Sequence, residues 1–484
     1  MPRAAALTAK DLLALGPDRL AALLLELAEA DPAIKRQLKL AVASASGSTD
    51  AAAQVRQRLA TIRRSRRFLE RDQRKALFKD LSLQLEAISG PVATSDPSVA
   101  LALLWEFLAL GNNVLARCDD SSGLLGDLFR EAKRQLGTVA LAARPEPLAL
   151  AERVFEAFLD NGYAIYDNLI TTLAPALGGD GLALLKQRFE ALASQPVPVP
   201  PQEEWVPVSW GPGGPTHAHE QDERSRQCTV REGLQEVARA RGDVDAFIAQ
   251  YSEEQRSVPA IAATIAEQLL AAGRAEEALA CLQAAAPDPG SWPRMDWEST
   301  HLSVLEAMGR RDDAQRARWS LFARCLQPEV LREYLANLPA FEDAEAEERA
   351  IALALAHPSL SQAICFLLHW PSALRQTAAV VERRHSELNG DDYELMGSLA
   401  EKLSADHPRA ASLALRSMID FTLAFTRSTR YGHAARHLQS CALLSRRIDD
   451  WGDIPDHEAY LASIRRDHAR KSGFWGKMRD LGME

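Results

Sequence analysis

A short pattern that occurs twice, 36 residues apart, constrains the fold of this chain more than any other feature. Leu269-x3-Gly273-Arg274-x-Glu276-Glu277-Ala278 recurs as Leu305-x3-Gly309-Arg310-x-Asp312-Asp313-Ala314, and a looser copy begins at Gly242. In each copy an apolar run ends at glycine, acidic residues follow, and a small residue opens the next run. This order predicts a helix, a glycine that ends it, an acidic first turn and a second helix. We therefore expect Gly273 and Gly309 to occupy equivalent turns between helices.

Spacing and composition together predict an all-α protein. A period in the thirties is typical of helical-hairpin arrays such as tetratricopeptide-like repeats. Alanine and leucine dominate the 484 residues, β-branched and aromatic residues are sparse, and no alternation of apolar and polar residues indicates a sheet. The predicted fold is a tetratricopeptide-like α-solenoid in the C-terminal half, preceded by an irregular N-terminal helical domain.

A segment rich in proline and glycine, residues 195–225, predicts the domain boundary. Its proline density forbids a continuous helix, and its polar end indicates an exposed linker without regular secondary structure. Trp205 and Trp210 are unusual for a free linker and could pin it to one half of the chain. The predicted domains are an N-terminal helical domain at 1–194 and a repeat domain at 226–484.

Charge and cysteine usage exclude several classes of protein. The net charge is −10, and residues 196–484 carry 32 Lys/Arg against 43 Asp/Glu, so general binding of duplex nucleic acid is not expected. The six cysteines are never closer than 40 residues, which supports neither a zinc ribbon nor a disulfide framework. We expect small buried thiols in a reducing compartment.

No targeting or membrane segment is predicted. The N-terminus carries acidic residues and lacks a long apolar core, so it is interpreted as helices and not as a signal peptide. The longest stretch without formal charge, residues 351–374, is interrupted at His357-Pro358 and predicts two buried helices. The expected location is the cytoplasm.

Several segments resemble known bacterial sequences. They are GDVDAFI at 242–248, AGR at 272–274 with EAL at 277–279, Tyr431-x2-Ala434, and HEAYLASIRRDHARKSGFWGKM from His457. With these, the second half resembles the C-terminal helical region of bacterial SWIM-type zinc-finger proteins and a family of uncharacterised bacterial proteins that share it. RSRRFLERDQRKALFKDL in the first half resembles that same family. The C-x-C…C-x-H ligands of the SWIM finger are absent, so zinc binding does not carry over, and the resemblance implies no assigned activity.

The strongest candidate for a binding site is a basic stretch at residues 56–79. It holds ten Lys/Arg against Glu70 and Asp72. On helices Arg56, Arg63, Arg67 and Arg74 would fall roughly on one face, and this basic strip could neutralise phosphates or an acidic partner segment. The other interpretation is a solvated face, or one that pairs with the chain's own acidic half. No aromatic residues are interleaved in a stacking pattern. The candidate anion-binding or partner-binding residues are Arg56, Arg63, Arg67, Arg74 and Lys75.

Other constellations favour structural roles. His433, His437 and Cys441 share one helical face, but Ala434 stands where a catalytic zinc helix needs glutamate, and Cys441 continues an apolar stripe. The pair His217 and His219 lies in the predicted linker, where a flexible backbone would not preorganise a metal site. The glycine cluster GGDG at 178–181 predicts a turn between helices and not a phosphate loop. No catalytic residue, metal or cofactor is therefore predicted.

These observations predict a non-enzymatic protein-interaction or scaffold protein. Grooves between repeat helices would hold a segment of a partner protein. The alternative is a nucleic-acid-associated accessory protein that uses the basic stretch at 56–79. No association with membranes is expected.

Overall fold

Helices make up almost all of the regular structure in the described residues, which are 8–195, 198–211, 214–288, 291–339 and 341–483 of the computed structural model. The chain forms two units, unit 1 (Met1–Ser252) and unit 2 (Glu253–Glu484), each with its own apolar core. The predicted all-α class, with helical hairpins in the second half, is confirmed.

In unit 1 most helices begin at a residue that suits a helix start. Proline stands in the first turn of four of them, where its missing N–H costs nothing, and at three of these four an acidic N-cap side chain also accepts backbone N–H groups. A π-helical turn spans Ile88–Val92, and a 3₁₀ turn spans Gln202–Glu204. The described α-helices are α1 (Ala9–Leu13), α2 (Pro17–Ala30), α3 (Pro32–Ser46), α4 (Ser48–Arg64), α5 (Arg71–Ala87), α6 (Ala93–Ser95), α7 (Pro97–Leu108), α8 (Gly111–Leu115), α9 (Leu124–Ala143), α10 (Pro147–Leu159), α11 (Leu169–Ser194), α12 (Ala218–Arg241) and α13 (Val244–Ile248).

In unit 2 successive helices pack on one another along the chain. The uncharged stretch at 351–374 forms helices on both sides of His357-Pro358, as predicted. Turns of 3₁₀ helix span Pro371–Ala373, His385–Glu387 and Ser428–Arg430. The described α-helices are α14 (Glu253–Arg256), α15 (Pro259–Ala271), α16 (Ala275–Ala284), α17 (Met295–Ala307), α18 (Arg311–Cys325), α19 (Pro328–Ala336), α20 (Glu342–Leu355), α21 (Leu360–Leu367), α22 (Leu374–Arg383), α23 (Tyr393–Leu403), α24 (Pro408–Ala424), α25 (Tyr431–Ser445), α26 (His457–Asp467) and α27 (Ser472–Asp480).

The two repeat glycines occupy equivalent turns, which confirms the prediction. Gly273 has φ 76° and Gly309 has φ 70°, in the left-handed region that favours glycine. The Arg274 N–H donates to the Leu269 carbonyl at 2.8 Å, and the Arg310 N–H donates to the Leu305 carbonyl at 2.9 Å. These six-residue hydrogen bonds satisfy carbonyls at the helix end and define the same C-terminal cap in both hairpins.

The looser copy of the pattern makes the same cap, but in unit 1. Gly242 has φ 67°, and the Asp243 N–H donates to the Ala238 carbonyl at 2.9 Å. The Asp243 side chain then accepts the Ala246 N–H at 3.0 Å and begins the short helix α13. One cap chemistry therefore serves both units.

The prediction that residues 195–225 lack regular secondary structure is wrong, and so is the prediction that the chain has no sheet. Two antiparallel strands, β1 (Pro207–Gly211) and β2 (Gly214–His217), form a hairpin, and α12 follows at once. The Trp205 ring anchors this segment, with its centroid 4.8 Å from that of His217 and 5.0 Å from that of His219. Trp210, in contrast, is 78% exposed.

The predicted domain boundary also changes, because α12 belongs to the core of unit 1. Gly233 on α12 lies so close to Phe189 on α11 that an added Cβ would stand 2.4 Å from the ring. The buried Glu236 carboxylate accepts the backbone N–H groups of Asn168 at 2.6 Å and Ile170 at 2.9 Å. Unit 1 therefore continues past the proline-rich segment and ends at Ser252.

Among the residues that the structure describes, one helical segment, Pro97–Leu115, is long and apolar enough to cross a membrane, and 56% of its most apolar window is buried inside the protein. Its side chains Leu103, Leu104 and Phe107 are fully buried in the core of unit 1. A core helix of this kind passes the same length and composition test as a membrane span.

Candidate anion-binding surface

The basic stretch at 56–79 is divided between two helices and an extended connection. Helix α4 ends at Arg64, Ser65 has extended φ and ψ of −69° and 134°, and α5 begins at Arg71. The prediction that Arg56, Arg63, Arg67 and Arg74 share one continuous helical face is therefore wrong. A new helix begins after Glu70, whose side chain caps the start of α5 in a capping box with Gln73.

Arg117, which follows α8, holds the connection in place. Its Nη1 donates to the Ser65 Oγ at 3.1 Å and to the Arg67 carbonyl at 3.0 Å. The Leu69 N–H donates to the Arg117 carbonyl at 2.8 Å. Arg117 is only 8% exposed, and burial lowers the pKa of its guanidinium. The connection is thus held through both its backbone and the Ser65 hydroxyl.

Two of the basic side chains pair with acids of the same unit. Arg56 Nε lies 3.1 Å from a Glu106 carboxylate oxygen. Arg58 lies 2.5 Å from the Asp80 carboxylate. Arg74 is half-buried beside Cys118, and its Nε is buried without a partner among the described residues. Of the five predicted binding residues, Arg56 and Arg74 are therefore less available to a partner.

The remaining cations are exposed and lie within 4 Å of no acidic group in the part of the chain that the structure describes. We call these seven residues the basic surface: Arg63, Arg64, Arg66, Arg67, Arg71, Lys75 and Lys79. Two nearby carboxylates are already occupied, since Glu70 caps α5 and Asp80 contacts Arg58, Arg36 and Gln84. The basic surface consequently keeps most of its positive charge.

An aromatic side chain lies within the basic surface, which the sequence pattern did not indicate. Phe68 is 55% exposed in the extended connection, next to Arg67. A single aromatic residue gives no periodic signal, so only the extended backbone shows that it lies at the surface. Its exposed ring offers a face for stacking beside the cations.

A groove of about 600 Å³ between α3, α4 and α5 adjoins this surface. Ser65, Leu69 and Lys79 line it together with Arg117. Gln84 also lines the groove, is 5% exposed, and has an Oε1 without a partner among the described side chains. The groove therefore combines basic side chains, apolar walls and a free acceptor for an N–H group.

Of the helical histidine and cysteine positions that the sequence singled out, His437 and Cys441 have buried surroundings, which favour a structural role. Burial raises the pKa of the Cys441 thiol to about 11, and burial lowers the pKa of His437. Gly178 interrupts α11 with φ 57°, so the glycine cluster forms a kink between helical segments, as predicted. All six cysteines are free thiols, and Cys228 and Cys365 are exposed, contrary to the expectation of buried thiols. Within the described ranges, no three His, Cys, Asp or Glu side chains are grouped to hold a metal.

The chain belongs to a family of unknown function (DUF6880), which matches residues 2–477. This agrees with the predicted membership of an uncharacterised family, but it does not show the SWIM-type resemblance. No curated protein matches the chain at a significant level. A solved structure titled "Circular tandem repeat protein with novel repeat topology and enhanced subunit contact surfaces" is 16% identical, covers 93% of this chain and 96% of its own, and has a TM-score of 0.12. A TM-score this low does not indicate a shared fold.

Proposed function

We propose that this protein is a non-enzymatic interaction protein of the cytoplasm whose basic surface binds an acidic segment of another protein. The observation that carries the proposal is the set of seven exposed cations without an ion pair, on α4, on α5 and on the connection between them that Arg117 holds in place. A connection whose backbone is already held in place loses little conformational entropy of its own when an anionic partner binds. The adjoining groove would receive apolar side chains of the same segment.

The repeated hairpins of unit 2 support the same class of function. Their equivalent glycine caps and the packing of successive helices favour a tetratricopeptide-like solenoid, which would act as a scaffold with grooves for partner helices. The resemblance to the helical region of bacterial SWIM-type proteins belongs to this proposal and brings no metal site with it.

The first experiment measures binding of a fluorescently labelled poly-glutamate peptide by anisotropy. Replacing Arg63, Arg67 and Lys75 by alanine should weaken binding at least about tenfold and make its salt dependence shallower, because three charge contacts are lost. The thermal midpoint should stay unchanged, since none of these side chains is buried.

The matched control is a triple alanine variant at Arg19, Arg224 and Arg241, three exposed cations of unit 1 outside the basic surface. It changes the net charge equally and should leave peptide binding as in the wild type. Equal losses in both triple variants would mean that only net charge matters, and the proposed site would be refuted.

A second candidate function is binding of single-stranded nucleic acid, which the exposed Phe68 ring favours. An aromatic face beside cations can stack a base while the arginines contact phosphates. Phe68→Ala should then weaken binding of an oligonucleotide by about 1–3 kcal/mol. The same change should leave the poly-glutamate affinity unaltered, because a glutamate peptide offers no ring to stack.

Salt titrations separate the two candidates further. If the oligonucleotide is the true ligand, the slope of log K against log salt should fall by roughly 0.7 for each phosphate contact removed from a single strand. If neither the peptide nor single- or double-stranded DNA or RNA binds at low ionic strength, both functions are refuted.

A further inference from the structure

A cavity of about 500 Å³ lies in unit 2 along one face of α24. The segment around Asn389 and Gly390 forms one wall, and Ile454, Pro455 and Tyr460 form another. Gly390 approaches α24 so closely that an added Cβ would stand 2.0 Å from the Ser417 carbonyl. The cavity is separate from the basic surface, which belongs to unit 1.

Arg416 in the cavity wall is a buried cation with unused hydrogen-bond donors. It is 4% exposed, and its Cζ lies 4.4 Å from the ring centroids of both Trp451 and Tyr460. Nη1 donates to the Pro455 carbonyl at 2.6 Å, whereas Nε and Nη2 have no partner among the described residues. Buried donors are rarely left unpaired, and the Nε–Nη2 edge of a guanidinium matches the two oxygens of a carboxylate.

Asp420 lines the same cavity one helical turn further along α24 and carries the opposite charge. Its Oδ1 accepts the Tyr460 hydroxyl at 2.7 Å, and part of the residue is exposed to solvent. The surrounding protein nevertheless desolvates the carboxyl enough to raise its pKa. Within the described part of unit 2, no ion pair within 4 Å joins Asp420 to Arg416.

Aromatic and aliphatic side chains complete the cavity. Phe421 and Phe425 have ring centroids 4.6 Å apart, and Phe425 is 64% exposed at the rim. Leu388 and Ile454 contribute aliphatic surface. An exposed aromatic ring beside a cavity is typical of a surface that a ligand covers.

We propose that this cavity binds a small zwitterion, an α-amino acid with an apolar side chain. The carboxylate would accept hydrogen bonds from Arg416 Nε and Nη2, the ammonium group would donate to Asp420, and the side chain would pack on Phe421 and Phe425. A zwitterion offers an anion to Arg416 and a cation to Asp420 without adding net charge, whereas a simple anion would face Asp420 and a simple amine would face Arg416.

Three matched probes test the proposal by isothermal titration calorimetry on the full chain. L-Phenylalanine has both charges, 3-phenylpropionate has only the carboxylate, and phenethylamine has only the amine. We expect L-phenylalanine to bind at least about tenfold more tightly than either analogue, because each analogue leaves one charge unpaired. Binding of 3-phenylpropionate as tight as that of L-phenylalanine would overturn the proposal.

Variants identify the site. Asp420→Asn should weaken L-phenylalanine at least about tenfold and leave 3-phenylpropionate no weaker, because the lost charge attracts only the ammonium group. Phe425→Ala should weaken L-phenylalanine, whereas Phe341→Ala, at another exposed phenylalanine of unit 2, should not. If no probe binds at millimolar concentration, water alone satisfies the Arg416 donors and the proposed site is refuted.

Discussion

The basic surface of unit 1 and the turns of unit 2 both carry arginines that are exposed or half-buried near helix ends. The two groups differ in whether an acidic side chain pairs with them. In unit 2 the arginines pair with an acid three residues later: Arg274 with Glu277 at 2.7 Å, Arg310 with Asp313 at 2.6 Å, and Arg384 with Glu387 at 2.6 Å. In unit 1, Arg63 and Arg64 are followed at the same distance by Arg66 and Arg67. In unit 2 an acidic residue three positions later neutralises each of these arginines. After Arg63 and Arg64 no such acid follows, so their charge stays available to a partner.

The largest expected effect comes from Arg117→Ala, which tests whether the basic surface depends on a fixed backbone. Losing the three hydrogen bonds from the buried guanidinium to Asn113, Ser65 and Arg67 should lower the free energy of unfolding of unit 1 by roughly 4 kcal/mol. Peptide affinity should fall as well, because the connection loses its anchor. Urea denaturation and anisotropy measure the two effects. Arg130→Ala, at an exposed arginine that pairs with Asp127, is the control and should change neither.

The next prediction concerns a carboxylate that, unlike Glu277 in unit 2, is buried. Burial raises the pKa of Glu236 from 4.5 to about 7. Between these two pH values the folded state holds a proton that the unfolded state releases. The contribution of Glu236 to the free energy of unfolding is therefore greatest below about pH 4.5, falls as the pH rises to about 7, and stays constant above that pH. The total loss should be about 3 kcal/mol.

Urea denaturation across this pH range checks the prediction for Glu236. Glu236→Gln should flatten the profile between the two pKa values, whereas Glu86→Gln, at an exposed glutamate of unit 1, should leave its shape unchanged. A flat wild-type profile would show that Glu236 stays ionised without cost.

A smaller effect should follow from changing the glycine caps that precede the paired arginines. Gly273→Ala and Gly309→Ala should each cost about 1 kcal/mol, because alanine resists the left-handed conformation. Gly397→Ala, in the middle of α23 where an added Cβ meets nothing within 4 Å, should instead stabilise by roughly 0.5–1 kcal/mol. Equal signs at all three positions in thermal denaturation would contradict the cap assignment.

The smallest effect should come from removing an acid that neutralises turn arginines. Arg310 holds the pKa of the Asp313 carboxyl below its usual range, but that carboxyl remains in contact with water. Asp313→Asn should therefore leave the thermal midpoint within experimental error, since exposed pairs contribute little. The same variant removes the carboxylate that pairs with Arg310 and Arg316, and it should gain measurable affinity for poly-glutamate if available arginines are what the basic surface requires.

Local signals made the repeat turns predictable from the sequence. A cap such as that at Gly273 is formed by hydrogen bonds within six residues, so the pattern of leucine, glycine and acid contains all of its parts. The basic stretch was equally predictable, because charge density is visible in a short window. The end of α4 at Arg64 was not, since the extended connection that follows is held by Arg117, which is distant in sequence.

The features that were missed depend on contacts between distant parts of the chain. Arg117 contacts Ser65 and Arg67 about fifty residues away, and nothing around Arg117 in the sequence indicates this. The strands β1 and β2 were missed because the prolines and glycines around them favour a linker, and because every residue of β1 is exposed, so no buried face marks it as a strand. Arg416 and Asp420 are near in sequence, but their shared cavity needs Tyr460 and the segment at 385–390.

The glycine caps of unit 2 also bear on how such a chain can change in length during evolution. Because every hydrogen bond of the cap lies within the turn itself, a duplicated or deleted block of 36 residues carries its own turn with it. A shorter insertion between Leu305 and Arg310 would separate the donor from its acceptor and leave the helix end open. Gain or loss of whole hairpins is therefore the change in length that unit 2 should tolerate best, and relatives that differ in this region should differ by complete turns with their adjoining helices.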